Sequence, residues 1–393
     1  MLENDIVILS GARTAIGGFG GSLAGVTPIE LATTVSKAAI ERAGLAPEKI
    51  GTVVFGHVLN TEPRDMYLSR VAMLDAGVPD TTPAMNVNRL CGSGVQAIVS
   101  AVQALELGDA DFALAGGAES MSRAPYSVPA MRFGAKMGDA KMVDMMVGAL
   151  TCPMGTGHMG VTAENVASEN DITRKDQDEF ALESQNRAAK AIAEGRFKDQ
   201  IVPVEIKSRK GTVLFDTDEH PKATDMEKLG GLKPAFAKDG TVTAGNASGL
   251  NDGAGAIVLA RADAAKDAGL TPKFKVIGYA VAGVPARVMG MGPIPAVKKL
   301  LERTGLSVGH FDVIESNEAF AAQALAVNKG LGLDPAKVNP NGGAVALGHP
   351  IGATGAIITV KAMYELERIG GKKALITMCI GGGQGIALAI ERI

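Results

Sequence analysis

Two stretches of this sequence, one near each end, alternate short runs of β-branched residues with helical stretches in the same order. In the first, strand-like runs at 5–9, 52–58 and 112–117 alternate with helical stretches at 29–44 and 94–108. The last third repeats the scheme, with strand-like runs at 274–281, 311–316 and 373–383 and helical stretches at 295–305 and 352–370. Alternation of this kind predicts an α/β fold in which helices cover a sheet.

Landmarks inside the two stretches also match. The first has Cys91 at a glycine-rich helix start, some way after a strand that ends near Asn60. The second has His349 at another such start, "LGHPIGATGA", at nearly the same interval after Asn317. A duplicated α/β half is the simplest explanation, and its two equivalent helix starts are expected to face each other across a pseudo-twofold axis. The sequence therefore predicts that Cys91 and His349 are neighbours.

The segment between the two stretches has a different character. Residues 121–250 contain methionine-, glycine- and proline-rich loops around one strongly helical stretch, 173–197. Loops this long in a compact chain usually carry function, so we expect an inserted lid or binding domain. The predicted organisation is a first half, an insert and a second half, with bounds 1–120 plus 251–272, 121–250, and 273–393 respectively.

Composition excludes several classes of function. The formal net charge of -3 comes without long blocks of either sign, so we expect no nucleic-acid partner. No apolar stretch reaches the ~20 residues that span a bilayer, and the first residues do not resemble a secretory signal. Neither a dinucleotide-binding glycine motif nor a P-loop is present, and the five histidines are scattered, which argues against zinc. Three cysteines without regular spacing indicate free thiols in a reducing cytoplasm.

Four residues are candidates for chemistry, and each has a structural alternative. Cys91 lies at a helix start, where backbone N–H groups and the helix dipole favour the nucleophilic thiolate; the alternative is a buried core cysteine. His349 is placed to accept a proton from that thiol, although a lone histidine is usually only hydrogen-bonded. Cys379 ends a strand before "GGGQG", and Asn317 follows a strand where α/β proteins place site residues. The structural alternative for Cys379 is a small core residue at a strand end, and that for Asn317 is a turn-forming asparagine.

These motifs together resemble those of the thiolase family. The residues that carry the resemblance are "NRLCGSG" with Cys91, "NEAFA" with Asn317, "NPNGGAVALGHPIGATGA" with His349 and "CIGGGQG" with Cys379. Further matches, such as "GAESMSRAPY" and "VTAGNASGLNDGA", extend it over essentially the whole chain. The resemblance implies a duplicated αβαβα five-layer fold with an inserted loop domain that binds coenzyme A and joins dimers into tetramers.

The resemblance also implies a role for each site residue. Cys91 is the expected nucleophile, activated by His349, and Cys379 the acid and base that acts on the leaving thiolate and on the substrate Cα. Asn317, through a water, and His349 would together stabilise an enolate oxygen. The backbone N–H groups of Cys91 and Gly381 would stabilise a second oxyanion. The family's substrate contacts correspond to Ser248 and His158 along the pantetheine arm, and to Met159, Met289 and Phe320 near the acyl group. Lys222 stands where family members often have an arginine near the CoA nucleotide.

The expected activity is that of a cytoplasmic acetyl-CoA C-acetyltransferase. It would join two acetyl-CoA, or acetyl-CoA and a short acyl-CoA, into a 3-ketoacyl-CoA without metal or redox cofactor, as a homotetramer and without a membrane partner. One alternative is a degradative 3-ketoacyl-CoA thiolase of broader chain length. A β-ketoacyl synthase is another, but it has no use for a cysteine such as Cys379. A non-catalytic acyl-CoA-binding or sterol-carrier relative is the third, against which the intact Cys91, His349 and Cys379 argue.

Overall fold

The computed structural model describes residues 5–208 and 211–393. Residues 1–4 of the predicted first half and 209–210 of the predicted insert lie outside the described residues. The first part of the chain alternates strands and helices as expected. Its elements are β1 Ile6–Arg13, β2 Gly17–Gly18, α1 Pro28–Ala43, β3 Thr52–Gly56, α2 Leu68–Asp75, β4 Ala84–Val87, α3 Ser93–Glu106 and β5 Phe112–Ser120.

The middle of the chain forms short hairpins and two longer helices. Its elements are β6 Tyr126–Ser127, β7 Val143–Asp144, α4 Met145–Ala149, β8 Thr151–Cys152, β9 Gly157–His158, α5 Met159–Glu169, α6 Arg174–Ala193, β10 Val204–Ser208, β11 Gly211–Phe215 and α7 Met226–Gly230. Each of its three strand pairs forms a separate two-stranded sheet. The helical stretch predicted at 173–197 corresponds to α6.

The last part of the chain returns to longer strands and helices. Its elements are β12 Asn251–Arg261, α8 Ala262–Asp267, β13 Phe274–Gly283, α9 Pro293–Thr304, β14 Val313–Ser316, α10 Ala321–Leu331, α11 Ala344–Leu347, α12 Thr354–Ile369, β15 Lys373–Ile380 and β16 Gln384–Arg392. Strand β12 pairs with β1 and β5 of the first part. Among the described helices, none is long and apolar enough to cross a membrane.

The sheet topology confirms the predicted duplication. Outward from the centre, the first half runs β1, β12, β5, β3 and the second half runs β13, β16, β15, β14. In both halves the successive pairings are antiparallel, antiparallel and parallel, and β4 adds a further parallel strand to the first half. The two half-sheets join through β1 and β13, where Val7 pairs with Lys275 and Ile8 with Phe274.

Alternating side chains on the strands build the five layers. On β1, Val7 and Leu9 belong to an apolar cluster that includes α1, whereas Ile6 and Ile8 belong to a central cluster that includes α3 and α12. The side chains of β16 alternate in the same way. Leu388 belongs to the central cluster, and Ala389 belongs to a third cluster that includes α9. The order of layers is therefore α1 and α2, first half-sheet, α3 and α12, second half-sheet, α9, as expected for αβαβα.

The two central helices begin differently from α1. Helix α1 has a capping box, in which Thr27 and Glu30 exchange hydrogen bonds. Helices α3 and α12 have no side-chain cap at their N-termini. Their first turns also meet closely, since a Cβ added to Gly94 would lie 2.5 Å from the backbone nitrogen of Ala356. The residues that precede these two helices are thereby held close to each other.

Candidate active site

Three loops and the end of one strand carry the predicted catalytic residues. Cys91 lies between β4 and the start of α3, and His349 between α11 and α12. Asn317 directly follows β14, and its backbone N–H donates to the Thr377 carbonyl of β15 at 3.0 Å. Cys379 is the second-last residue of β15. The paired central helices and the adjacent strands β14 and β15 thus converge on one place, as the duplication predicted for Cys91 and His349.

The loop before Cys91 is tightly constrained. Leu90 has φ 46°, a left-handed conformation that is unfavourable for a residue with a branched side chain. Two neighbouring side chains hold it there: the Leu90 N–H donates to Asn88 Oδ1 at 3.0 Å, and Ser93 Oγ donates to the Leu90 carbonyl at 2.7 Å. Strain of this kind persists when the surroundings fix it, so the position of Cys91 is set by its neighbours.

The resting thiol of Cys91 is protonated. Burial raises its pKa to about 11, and the negative charge of Glu119 contributes in the same direction. Hydrogen bonds from the backbone N–H groups of Gly381 and Cys91 itself oppose the rise without cancelling it. The N–H groups at the helix start favour the thiolate, as expected, but in the free protein desolvation outweighs them. The same two N–H groups are those expected to bind an oxyanion.

His349 is held in one tautomer. Its Nδ1 lies 2.7 Å from Thr354 Oγ1, and that hydroxyl donates its only hydrogen to the Pro350 carbonyl at 2.8 Å. Both contacts are hydrogen bonds at the same time only if Nδ1 carries the proton and donates it to Thr354, and Nε2 is then an acceptor. Burial lowers the pKa of His349 to about 4, so the ring is neutral at pH 7. A neutral imidazole with an unprotonated Nε2 is ready to accept a proton.

Asn317 lies next to His349, and Cys379 lies next to Cys91. Asn317 Nδ2 is 3.5 Å from His349 Nε2. Its Oδ1 is a buried acceptor without a hydrogen-bond partner within the described chain, which fits the predicted role of holding a water. Cys379 is fully buried; burial, and then the neighbouring Cys91, raise the pKa of its thiol far above the usual range. Two thiols, an imidazole and an amide thus share one desolvated site.

A cavity of about 360 Å³ opens onto these groups. Cys91, His349 and Gly381 form part of its wall, and so do five of the predicted substrate contacts: His158, Met159, Ser248, Met289 and Phe320. Lys222 is not part of the wall. It is exposed, and its backbone N–H donates to Gln185 Oε1 at 2.9 Å. The cavity wall is mainly apolar.

Some residues of the site were not predicted. The Phe236 ring stacks on His158 with centroids 4.7 Å apart and meets Phe320 edge-on at 6.1 Å. Phe236 lies in a turn-rich segment whose pattern gives no sign of an aromatic wall. Thr354 and Glu119 were also missed, although both stand in glycine-rich runs at the predicted helix start and strand end. Across residues 5–208 and 211–393, no group of three or more His, Cys, Asp or Glu side chains is placed to hold a metal ion.

Comparison with protein families gives two adjoining matches. The family model of the thiolase N-terminal domain matches residues 6–263, and that of the thiolase C-terminal domain matches residues 270–392. Among curated proteins, the beta-ketothiolase BktB of Cupriavidus necator is 61% identical over the full length of both chains. An acetyl-CoA acetyltransferase of the same organism is 52% identical over 99% of each chain.

Solved structures give the same picture. The crystal structure of the Bacillus anthracis acetyl-CoA acetyltransferase has a TM-score of 0.97 and 48% identity, over 99% of each chain. The human mitochondrial 3-ketoacyl-CoA thiolase in complex with CoA has a TM-score of 0.96 and 44% identity, covering 100% of this chain and 99% of that one.

Proposed function

Because this chain belongs to the thiolase family, we propose that it is an acetyl-CoA C-acetyltransferase. It condenses two acetyl-CoA, or acetyl-CoA and a short acyl-CoA, to a 3-ketoacyl-CoA and free CoA, and it cleaves the product in reverse. The observation that carries the proposal is that Cys91, His349 and Gly381 line the same cavity, and that the second thiol, Cys379, lies beside Cys91.

The first half-reaction makes an acyl-enzyme. His349 Nε2 takes the proton of the Cys91 thiol, and the thiolate attacks the thioester carbonyl of acetyl-CoA. The N–H groups of Cys91 and Gly381 stabilise the oxyanion that forms. The C–S bond to CoA then breaks, and Cys379 gives its proton to the leaving CoA thiolate. This leaves an acetyl group on Cys91, a proton on His349 and a thiolate at Cys379.

The second half-reaction forms the carbon–carbon bond. The Cys379 thiolate removes a proton from Cα of the second acetyl-CoA, and the enolate oxygen is stabilised by protonated His349 and by the water of Asn317. The Cα carbon attacks the acetyl carbonyl on Cys91, the C–S bond of the acyl-enzyme breaks, and His349 returns its proton to Cys91. Cys379 is already protonated, so every group regains its starting state.

The walls of the cavity support a short acyl group and an extended thioester arm. Met159, Met289 and Phe320 are buried apolar side chains on the same cavity wall as the nucleophile. We assign the pantetheine arm to the side of His158 and Ser248, and the nucleotide to the side of exposed Lys222. No metal or redox cofactor is part of the proposal, because thiol, imidazole and amide groups supply every proton transfer in it.

We also propose a homotetramer in the cytoplasm. The segment 126–147 exposes several large apolar side chains, including Phe133 at 93% and Met137 at 96%, and an exposed apolar surface of this kind supports a protein contact. All three cysteines are free thiols, in keeping with a reducing compartment. Light scattering at micromolar protein should give four times the chain mass, and a monomer mass would contradict the assembly.

The test of the activity is cleavage of 3-ketoacyl-CoA by the purified protein in the presence of CoA. We expect rapid cleavage of acetoacetyl-CoA, falling as the chain lengthens, and no turnover by Cys91→Ser. Equal or faster cleavage of long chains would favour the degradative type. Failure to cleave any chain length, together with a requirement for malonyl-CoA, would favour a β-ketoacyl synthase, and binding without turnover would favour a non-catalytic relative.

A further inference from the structure

The loop that carries His349 is fixed from outside. Residues 348–353 lie between α11 and α12. The only backbone hydrogen bond within them runs from the N–H of Ala353 to the Pro350 carbonyl, which also accepts the N–H of Thr354 at the start of α12. Two other backbone donors of the loop bond to side chains far away in the sequence. The N–H of His349 donates to Asn251 Oδ1 at 2.9 Å, and the N–H of Gly352 donates to Glu119 Oε2 at 2.8 Å.

Both acceptors belong to the half of the molecule that carries Cys91. Asn251 is the first residue of β12, is fully buried, and donates from Nδ2 to the Gly17 carbonyl at 2.9 Å. Glu119 lies on β5, is fully buried, and also accepts the N–H groups of Val58 and Leu59 at 3.2 and 3.1 Å. Each acceptor is therefore anchored at a second point, and neither can follow the loop if the loop shifts.

The contact surfaces leave no room for adjustment. A Cβ added to Gly348 would lie 2.4 Å from Asn251 Cγ, and one added to Gly352 would lie 2.4 Å from Glu119 Oε2. The contact is equally close when it is built from the first half, because a Cβ on Gly117 of β5 would lie 2.3 Å from the Gly352 carbonyl oxygen. Distances this short mean that backbone and acceptor already touch. The loop of the second half is thus seated on the first half at both its ends.

We propose that Asn251 and Glu119 are positioning residues, which set the place of the His349 imidazole relative to Cys91 by holding the backbone of its loop from the opposite half of the molecule. The inference rests on the proposed function, in which His349 takes the proton of Cys91. Proton transfer needs the two groups within hydrogen-bond reach, and a displacement of about 1 Å can reduce a rate by about 100-fold.

Glu119 has two effects that can be separated: it holds the His349 loop in place, and its negative charge acts on the Cys91 thiol. Its negative charge contributes to the high pKa of Cys91, so removing the charge alone would make the thiol more reactive. Glu119→Gln removes the charge and turns an amide NH₂ toward the N–H donors of the loop or of residues 58–59. If the hydrogen bond that holds the loop has a larger effect on Cys91 than the charge, the same substitution makes the thiol less reactive. The sign of the change distinguishes the two roles.

The test measures thiol reactivity and needs no acyl-CoA. The rate at which iodoacetamide alkylates Cys91 at pH 7, followed by peptide mapping, is compared for wild type, His349→Ala, Asn251→Leu, Glu119→Gln and the double variants with His349→Ala. We expect each single substitution to slow alkylation by about 10-fold or more. In the His349→Ala background, Asn251→Leu should change the rate by less than about 2-fold, and Glu119→Gln should no longer slow alkylation, because the positioning effect acts through His349.

The matched control is Asp65→Asn. Asp65 is another fully buried carboxylate of the first half, and it accepts the backbone N–H groups of Thr61 and Glu62 without touching the His349 loop. It should leave the alkylation rate within about 2-fold of wild type.

The outcomes separate the inference from its premise. If His349→Ala leaves alkylation unchanged, the proposed activation of Cys91 by His349 is wrong. If His349→Ala slows it but the other substitutions add their full effect in the double variants, or if Glu119→Gln alone speeds it, the positioning roles are wrong. The Asn251 and Glu119 cycles are independent, so a variant that does not fold leaves the other to decide.

Discussion

At the scale of single residues, the site is built from groups that rest uncharged. Burial raises the pKa of Cys91 to about 11 and that of Cys379 further, and lowers the pKa of His349 to about 4. At pH 7 the thiols are therefore protonated and the ring is neutral. Charge has to be created by transfer between them once substrate is bound, and in a dry site the fixed N–H donors then stabilise it strongly.

The first prediction separates the two cysteines. Cys379→Ser should still form an acetyl-enzyme, because His349 and the N–H groups of Cys91 and Gly381 are intact. Condensation should fall by about 10²- to 10⁴-fold, since a serine hydroxyl is a poor replacement for the thiol as acid and base. Mass spectrometry after mixing with acetyl-CoA should find the adduct on Cys91.

Cys91→Ser is the matched variant, and it should show no adduct or a very slow one. An acetyl group on Cys379 of the wild-type enzyme, with Cys91 unmodified, would mean that the two roles are reversed.

The second prediction concerns the tautomer of His349. Thr354→Val removes the acceptor of the Nδ1 proton, so the proton can move to Nε2, and the ring then has no lone pair facing the thiol. We expect kcat to fall by about 100-fold, with a smaller change in KM. Thr354→Ser keeps the hydroxyl and should restore most of the rate. Nitrogen NMR of labelled histidine reports the tautomer directly.

Thr359→Val is the control for the second prediction. Thr359 is buried in the same helix, and its hydroxyl donates to the Gly355 carbonyl at 2.7 Å without contacting His349. An equal loss of kcat in Thr354→Val and Thr359→Val would assign the effect to helix packing.

At the scale of elements, the two central helices bring the halves of the site together. The backbones of α3 and α12 touch at their first turns, and a Cβ on Gly355 would lie 2.3 Å from the Val95 nitrogen. The helix starts are fixed by this backbone contact. Cys91 and His349 precede these starts, so their separation depends on glycine at the crossing.

The third prediction follows from this contact. Gly94→Ala places a methyl group against the backbone of α12, so the helices must separate. We expect a loss of about 1–3 kcal/mol in the free energy of unfolding and a fall in acetyl-enzyme formation. Gly230→Ala at the end of α7, where no atom lies within 4 Å of an added Cβ, should change neither measurably. Wild-type acylation by Gly94→Ala would contradict the coupling.

These elements also show which features the sequence could predict. Helices expected at 29–44 and 352–370 are found at Pro28–Ala43 and Thr354–Ile369, because their periodicity and flanking glycines are local signals. The pairing of Cys91 with His349 followed from the duplication. The contacts of Asn251, Glu119 and Thr354 with the His349 loop depend on segments that meet only in the fold. The high pKa of the Cys91 thiol could not be predicted, because a helix start is visible in the sequence and burial is not.

At the scale of the whole molecule, burying the neutral ring of His349 affects stability. Its pKa falls from 6.5 to about 4 on folding, so between these values the unfolded chain binds a proton that the folded chain does not. Stability therefore decreases as the pH falls from about 6.5 to about 4, by about 3 kcal/mol in total. Above pH 7 this contribution no longer changes.

The fourth prediction tests this linkage. From pH 7 to pH 5, the wild type should lose about 2 kcal/mol more than His349→Gln in urea denaturation, because the variant has no ring to protonate. Buried acids such as Glu315 and Glu318, whose pKa values are raised by burial, act in the opposite direction but equally in both proteins. Parallel pH profiles for the two proteins would show that His349 is not buried in its neutral form.

The position of β12 governs the order in which this molecule can be completed during synthesis. This strand lies between β1 and β5, and its residue Asp252 pairs with Ser120, just before the insert. In a nascent chain that has released β1 and β5 from the ribosome, the edges of both strands that pair with β12 therefore stay unpaired until residue 261 emerges. Exposed edges of this kind invite pairing with other chains. The length of the insert thus sets how long these edges are exposed during synthesis.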